Sequence, residues 1–249
     1  MFKVSTICVS QGMLAQVIEI GADGLAAEDL AMIGLTEQRK PVIVLIGGAS
    51  NLSEAAFKSM RSLFEQVLAP IAEGLRAVVV DGGTDTGVMR LMGQARAAVG
   101  GTFPLVGVAP RSLVFLPDDP DKAVDAMGLE PNHTHFVLVP GVSWGDESSV
   151  LAQVGTIVAG GAPSLSLMLN GGAITWKDAA ESVAVGRRLL VLKGTGRAAD
   201  DLAAMVDGKQ AMSQGKELLA TGLVEVVDLW DGALLHQRIG SILSSHRDA

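Results

Sequence analysis

Pro41-Val42-Ile43-Val44-Leu45-Ile46-Gly47-Gly48-Ala49 is an aliphatic, largely β-branched run closed by paired glycines. The same phrase returns through the chain. It reads Ala77-Val78-Val79-Val80-Asp81-Gly82-Gly83-Thr84, then Phe136-Val137-Leu138-Val139-Pro140-Gly141. Two more copies follow, Leu165-Ser166-Leu167-Met168-Leu169-Asn170-Gly171-Gly172 and Leu189-Leu190-Val191-Leu192-Lys193-Gly194-Thr195-Gly196. A variant, Pro104-Leu105-Val106-Gly107-Val108-Ala109-Pro110, ends in proline. Runs that are apolar on both faces are what parallel strands buried between two helix layers require. Segments 54–68, 88–99 and 198–206 are long enough to be crossover helices. The pattern predicts an α/β, Rossmann-like, doubly wound, mostly parallel sheet with helices on both faces.

Towards the ends of the chain the phrase fades. Residues 2–9 and 16–20 read as an edge hairpin and 26–33 as a short helix. Residues 223–227 read as a last strand and 234–243 as a closing helix. Composition and pattern give no domain boundary, so residues 1–249 are read as one domain with the first 40 or so as an edge extension. Apolar residues make up 49% and charged residues 18%, which excludes an intrinsically disordered chain. The single cysteine, Cys8, excludes a disulfide framework and a cysteine-rich zinc site. A net charge of −8 argues against nucleic-acid binding driven by counterion release. Between Ser148 and Trp176 no side chain is charged, but its glycines, Pro163 and polar residues divide it into a helix, a turn and a strand ending in a glycine loop. No membrane span is expected. The N-terminus lacks the plan of a signal peptide, and a cytoplasmic setting is expected. The apolar balance and the uncharged stretch lead us to expect a homo-oligomer.

In open α/β sheets ligands sit beyond the carboxyl ends of the strands. Glycine there lets backbone N–H groups approach an anion, and the next helix N-terminus adds its positive dipole end. Neither a Walker P-loop nor a GxGxxG fingerprint stands in a strand–helix context. Five glycine loops predict one pocket gathered near residues 48, 84, 141, 171 and 196. The densest loop is Asp81–Arg90. Gly82, Gly83 and Gly87 frame Thr84, Asp85 and Thr86, which can cap the following helix or bind ligand hydroxyls. Arg90 is either a diphosphate contact or a surface charge. Trp144 can stack on a base or close its loop. His133 and His135 flank one strand position and read as structural groups or ligand-side hydrogen bonders, with no third metal ligand evident.

Several motifs occur in a fixed order. They are Gly47-Gly48 with Asn51, the Asp81–Arg90 loop with Gly93, Val106-Gly107-Val108-Ala109-Pro110, and His133-Thr134-His135-Phe136. Asn170-Gly171-Gly172 and Gly194-Thr195-Gly196-Arg197-Ala198-Ala199-Asp200 complete the series. It resembles the N-terminal SLOG domain of melastatin-type TRP channels, in the LSDAT branch, over residues 41–206. The resemblance implies a free-standing sensor for a nucleotide-derived ligand such as ADP-ribose, with no other cofactor firmly implied. By motif match Arg197 is the phosphate or ribose anchor, and Asp200 either orients it or accepts from a ribose hydroxyl. The run Pro140-Gly141-Val142-Ser143-Trp144-Gly145-Asp146-Glu147 also faintly resembles the PGGxGTxxE loop of LOG-type phosphoribohydrolases, whose glutamate assists N-glycosidic cleavage. On that alternative the protein is a nucleotide hydrolase using Glu147 or Asp146. The spacing is shifted, and Glu147 reads better as an acid at a helix start. A DprA-like single-strand binder is the remaining alternative, opposed by the acidic balance.

Overall fold

A computed structural model describes residues 3–10, 12–21, 24–48, 54–117, 119, 125–209 and 211–244. The chain runs β1 (Lys3–Ser10), β2 (Met13–Glu19), α1 (Ala27–Ala31), β3 (Val42–Gly47) and α2 (Glu54–Leu63). After a π-helical turn, Phe64–Leu68, come α3 (Ala69–Leu75), β4 (Val78–Asp81), α4 (Gly87–Ala98) and β5 (Leu105–Pro110). Two short strands, β6 (Val114–Phe115) and β7 (Met127–Gly128), precede β8 (His135–Val139), α5 (Ser148–Ala159) and β9 (Ser164–Leu169). The chain continues through α6 (Ala173–Ala184), β10 (Arg188–Lys193), α7 (Arg197–Val206) and α8 (Ser213–Ala220) to β11 (Val224–Asp228) and α9 (Gly232–Ser244).

Nine strands form one sheet in the order β1-β2-β8-β5-β4-β3-β9-β10-β11. Every pairing in it is parallel except the β1–β2 hairpin at one edge. The doubly wound reading therefore holds, as do the expected edge hairpin and last strand.

The apolar runs bury both faces, as their composition demands. Along β3, Val42, Val44 and Ile46 enter one core while Ile43 and Leu45 enter the other. The same alternation divides Leu189 and Val191 of β10 from Leu190 and Leu192. Helices α1, α5, α6, α7 and α8 cover the first face through residues such as Leu30, Leu151, Ala179, Ala199 and Leu218. The π turn with α2, α3, α4 and α9 covers the second, through Met60, Phe64, Ile71, Met92 and Ile239. Each fully buried Leu, Ile, Met or Phe among them contributes about 1.5–3 kcal/mol. Much of the uncharged 148–176 stretch enters these cores through α5 and β9.

The segment read as one helix over 54–68 extends to Leu75, through a widened turn. Pro70 lacks an N–H, and Ala69 N–H donates five residues back, to Phe64 O, so the chain loosens by one residue there.

Crossovers from β3 through β5 run over the second face, and those from β8 through β11 run over the first. The winding direction therefore reverses between β3 and β9, which pair in register from Val42↔Ser164 to Gly47↔Leu169. Loops that leave β3 and β9 part to opposite faces, and a crevice opens between them.

Candidate functional site

At that crevice the carboxyl ends of β3, β4 and β9 frame a cavity of about 430 Å³. Gly47 and Gly48 bring the β3 end to it, and Gly82, Thr84 and Thr86 the β4 loop. Trp144 and Glu147 approach ahead of α5, Gly171 and Gly172 after β9, and Arg197 at the start of α7. The N-termini of α4, α5, α6 and α7 thus converge on one space, which makes its backbone rim electropositive although the protein is acidic overall.

Close backbone approach builds the floor. Gly47 has φ 139°, and a Cβ there would stand 1.8 Å from Leu169 O. Gly171 has φ 85°, and its Cβ would meet Thr175 Oγ1 at 2.1 Å. Asn170 is fully buried at φ 49°. Its Nδ2 donates to Thr195 O (2.6 Å), its N–H donates to Thr195 Oγ1 (2.8 Å), and its Oδ1 accepts the Gly171 N–H (2.7 Å). Thr195 Oγ1 in turn donates to Leu192 O (2.6 Å). The β9 and β10 loops are thereby locked together, which places the start of α7 beside Gly172.

Arg197 occupies that position with φ 53°, in the left-handed region that a side-chain-bearing residue adopts at a cost. Its Nη2 lies 2.8 Å from where a Gly172 Cβ would stand, so the guanidinium rests over the glycine. Among the described residues no carboxylate pairs with Arg197, whereas Arg90 and Arg238 each have one and Arg111 has two.

Two carboxyl groups face the same space. Glu147 is 7% exposed, and its Oε2 accepts the Gly145 N–H (2.7 Å). Burial pushes its pKa up, the Glu147 and Gly145 backbone bonds oppose this, and the Asp146 charge adds to the rise. Asp178, on α6, has a buried Oδ1 without a hydrogen-bond partner among the described residues. Burial pushes this carboxyl up to about 6, Glu147 adding to the shift against the opposing influence of Ser148 and Lys177. Ser148 Oγ stands near enough to bias the carboxyl yet outside hydrogen-bond geometry. Leu151, Met89, Met127 and Ile174 supply an apolar wall.

Other residues expected at the site lie beside the cavity and build its loops. Asn51 lies outside the described residues. Arg90 Nε donates to Asp85 Oδ1 (2.7 Å), and the exposed pair does not line the cavity. The surface-charge reading fits Arg90 better than a diphosphate contact. Gly83 N–H donates to Asp81 Oδ1 (2.7 Å), and Gly87 begins α4. Gly141 packs against Asp146, whose carboxylate accepts the N–H groups of Val142 (2.9 Å) and Ser143 (3.0 Å); these hold its pKa down. Gly145 serves Glu147, and Gly196 caps α7. Asp200 Oδ1 accepts the Gly194 N–H (2.6 Å), so it shapes the loop instead of orienting Arg197. His133 precedes the first residue of β8, so strand alternation does not relate it to His135. It contacts Asp81 and Glu130, while burial takes His135 down to about 4. Among the described residues no group of three or more His, Cys, Asp or Glu side chains could hold a metal ion.

The sequence reading missed Thr175 and Asp178, although a signal existed. The PGGxGTxxE spacing is met residue for residue by Asn170-Gly171-Gly172-Ala173-Ile174-Thr175-Trp176-Lys177-Asp178, with Asn for Pro, Ile for the third Gly and Asp for Glu. Thr175 Oγ1 accepts the Gly172 N–H (3.2 Å), and one further turn of α6 delivers Asp178 to the cavity. The Pro140–Glu147 run supplies the opposite wall.

The crystal structure of the structural-genomics target TM1055 is 21% identical to this chain, covering 82% of it and 99% of the other, with a TM-score of 0.52. That likeness concerns the fold. No helix among the described residues is long and apolar enough to cross a membrane. A family model described as "SLOG in TRPM, prokaryote" matches residues 40–235. The chain belongs to this family, the prokaryotic LSDAT branch of the SLOG domains.

Proposed function

We propose that the cavity binds a nucleotide-derived anion of the ADP-ribose class and that the protein acts as a sensor for it. The observation that carries this reading is Arg197: a guanidinium without a carboxylate partner among the described residues, held in a strained backbone conformation beside the N-terminus of α6. A guanidinium fork and oriented N–H groups match phosphate oxygens, and the apolar wall with Trp144 suits a base. A nucleotide ligand and a lone cysteine fit a cytoplasmic setting. A thermal-shift series with ADP-ribose, AMP, NAD and inorganic phosphate tests the reading. A ligand at 100 times its Kd stabilises by about 2.7 kcal/mol. A shift with ADP-ribose that phosphate alone does not reproduce is expected; no shift with any nucleotide contradicts the reading.

A second reading rests on Asp178. A buried carboxyl at the motif position of the LOG-type glutamate, raised to about 6, is suited to assist cleavage of an N-glycosidic bond. On this reading the acid is Asp178 in place of Glu147 or Asp146. Release of free base from AMP, abolished in Asp178→Asn, supports it, and intact AMP after prolonged incubation rejects it.

A further inference from the structure

Behind the Gly82–Thr86 wall of the cavity lies a buried cluster that the site itself does not use. Asp81 Oδ1 accepts the Gly83 N–H (2.7 Å) and faces His133 Nε2 (2.9 Å). His133 Nδ1 faces Glu130 Oε2 (2.8 Å). Asp81 and His133 side chains are wholly buried and Glu130 is nearly so. Ionised carboxylates only accept hydrogen bonds, so two of them at the two ring nitrogens require an N–H at each. Burial alone would lower the imidazole pKa, but Asp81 and Glu130 together push it to about 9.

The cluster stitches two backbone segments. Glu130 N–H donates to Gly83 O (2.9 Å), Asp85 N–H donates to Gly128 O (2.8 Å), and Thr84 forms an antiparallel bridge with Leu129. Glu130 also accepts the N–H (2.8 Å) and side-chain amide (2.6 Å) of Asn132. The His133 ring stacks on Phe136 at 5.4 Å. Gly93 of α4 leaves the space for the Glu130 carboxylate, whose Oε2 lies 2.0 Å from where a Gly93 Cβ would be. Arg96, also on α4, is a further charged group acting on Glu130.

We propose that His133 is a positioning residue for the ligand site: clasped between Asp81 and Glu130, it sets the backbone of residues 82–86 and so the shape of that wall of the cavity. Its effect on affinity rests on the reading that the cavity binds a nucleotide. Its effect on the wall does not.

Two measurements on the ligand-free protein come first. In wild type, ¹⁵N signals of the His133 ring should show both nitrogens protonated at neutral pH. They should lose the proton near pH 9, with the Gly83 amide signal moving on the same curve. In His133→Gln, amide exchange at residues 82–86 should accelerate about tenfold more than in β9 and β10, since local opening is set by the contacts a segment itself makes. Titration with ADP-ribose should then show a Kd weakened about tenfold. A singly protonated ring at neutral pH, a Gly83 signal indifferent to the ring's titration, or uniformly faster exchange overturns the proposal. If His133→Gln fails to fold, the wild-type titration decides. If the ligand-free results hold but wild type binds no nucleotide, the functional reading fails and the positioning of the wall is retained.

Discussion

Among the described residues three that bear side chains adopt positive φ, and two of them, Asn170 and Arg197, belong to the linked loops at the cavity. Strain kept beside a crevice has a function more often than strain elsewhere. Asn170 is compensated by its bonds to Thr195 and Gly171, but among the described residues Arg197 has no comparable side-chain bond to hold it. Arg197→Gly should therefore be more stable than Arg197→Ala by about 1 kcal/mol, because glycine accepts the left-handed conformation. Urea unfolding of the two variants checks this, and equal midpoints refute it. Asp178 gives a second test, with a sign fixed by its raised pKa. Folding favours its protonated form, so the stability it contributes is full below the ordinary carboxyl pKa of 3.8 and disappears as pH rises through about 6. Asp178→Asn should thus raise stability by roughly 1–3 kcal/mol at pH 7.5 and by little at pH 3.5. Thermal unfolding at both pH values measures this. Arg197, Gly171 and Gly172 were legible from sequence because glycine and arginine after a strand have a chemical meaning. Asp178 was not, since nothing in its own neighbours says that one face of α6 looks into a crevice.

Among the elements, the strands were the most legible. Burial on both faces demands aliphatic runs such as 42–46, and glycine pairs end them where loops must turn tightly. The helices α6 and α8 were harder to read. Ala173–Ala184 follows directly on the Gly171-Gly172 turn and carries Lys177, Asp178 and Glu181, so its apolar stripe is narrow. Its partners are set by tertiary packing against α5 and β9 and leave little periodic trace. Helix α4 supports a sharper expectation. Gly93 faces Glu130, and a methyl group there must displace a buried carboxylate paired with His133. Gly93→Ala should cost roughly 3–5 kcal/mol, the range for breaking a buried ionic contact by displacing one partner. Glycine-to-alanine change at an open helical position would stabilise instead. A Gly93→Ala protein as stable as wild type in chemical denaturation would show that Glu130 is not held as described.

Across the whole molecule, the reversal of winding between β3 and β9 explains why glycine loops far apart in sequence meet in one place. Sequence periodicity gave the strands and their burial, but strand order depends on which crossover covers which face, and no local pattern encodes that. The same long-range order brings Asp81, Glu130 and His133 together from separate segments. Because folding raises the His133 pKa from 6.5 to about 9, its contribution to stability is complete below 6.5 and is lost as pH rises through 9. Denaturant midpoints should fall over that interval and the fall should vanish in His133→Gln; a midpoint flat from pH 6.5 to 9.5 in wild type would contradict the buried charge.

The proposed function requires Arg197 and the N-terminus of α6 to hold a phosphate of a nucleotide ligand. Isothermal titration of ADP-ribose into wild type, Arg197→Ala and Arg197→Lys tests it most directly. A charge-assisted hydrogen bond contributes about 1.5–3 kcal/mol. Arg197→Ala should thus bind roughly 10- to 150-fold more weakly while remaining folded, at about 1.4 kcal/mol per decade. Lysine should recover part of the loss, since a point charge cannot reproduce the planar fork. ADP-ribose binding of equal strength to wild type and Arg197→Ala would contradict the claim.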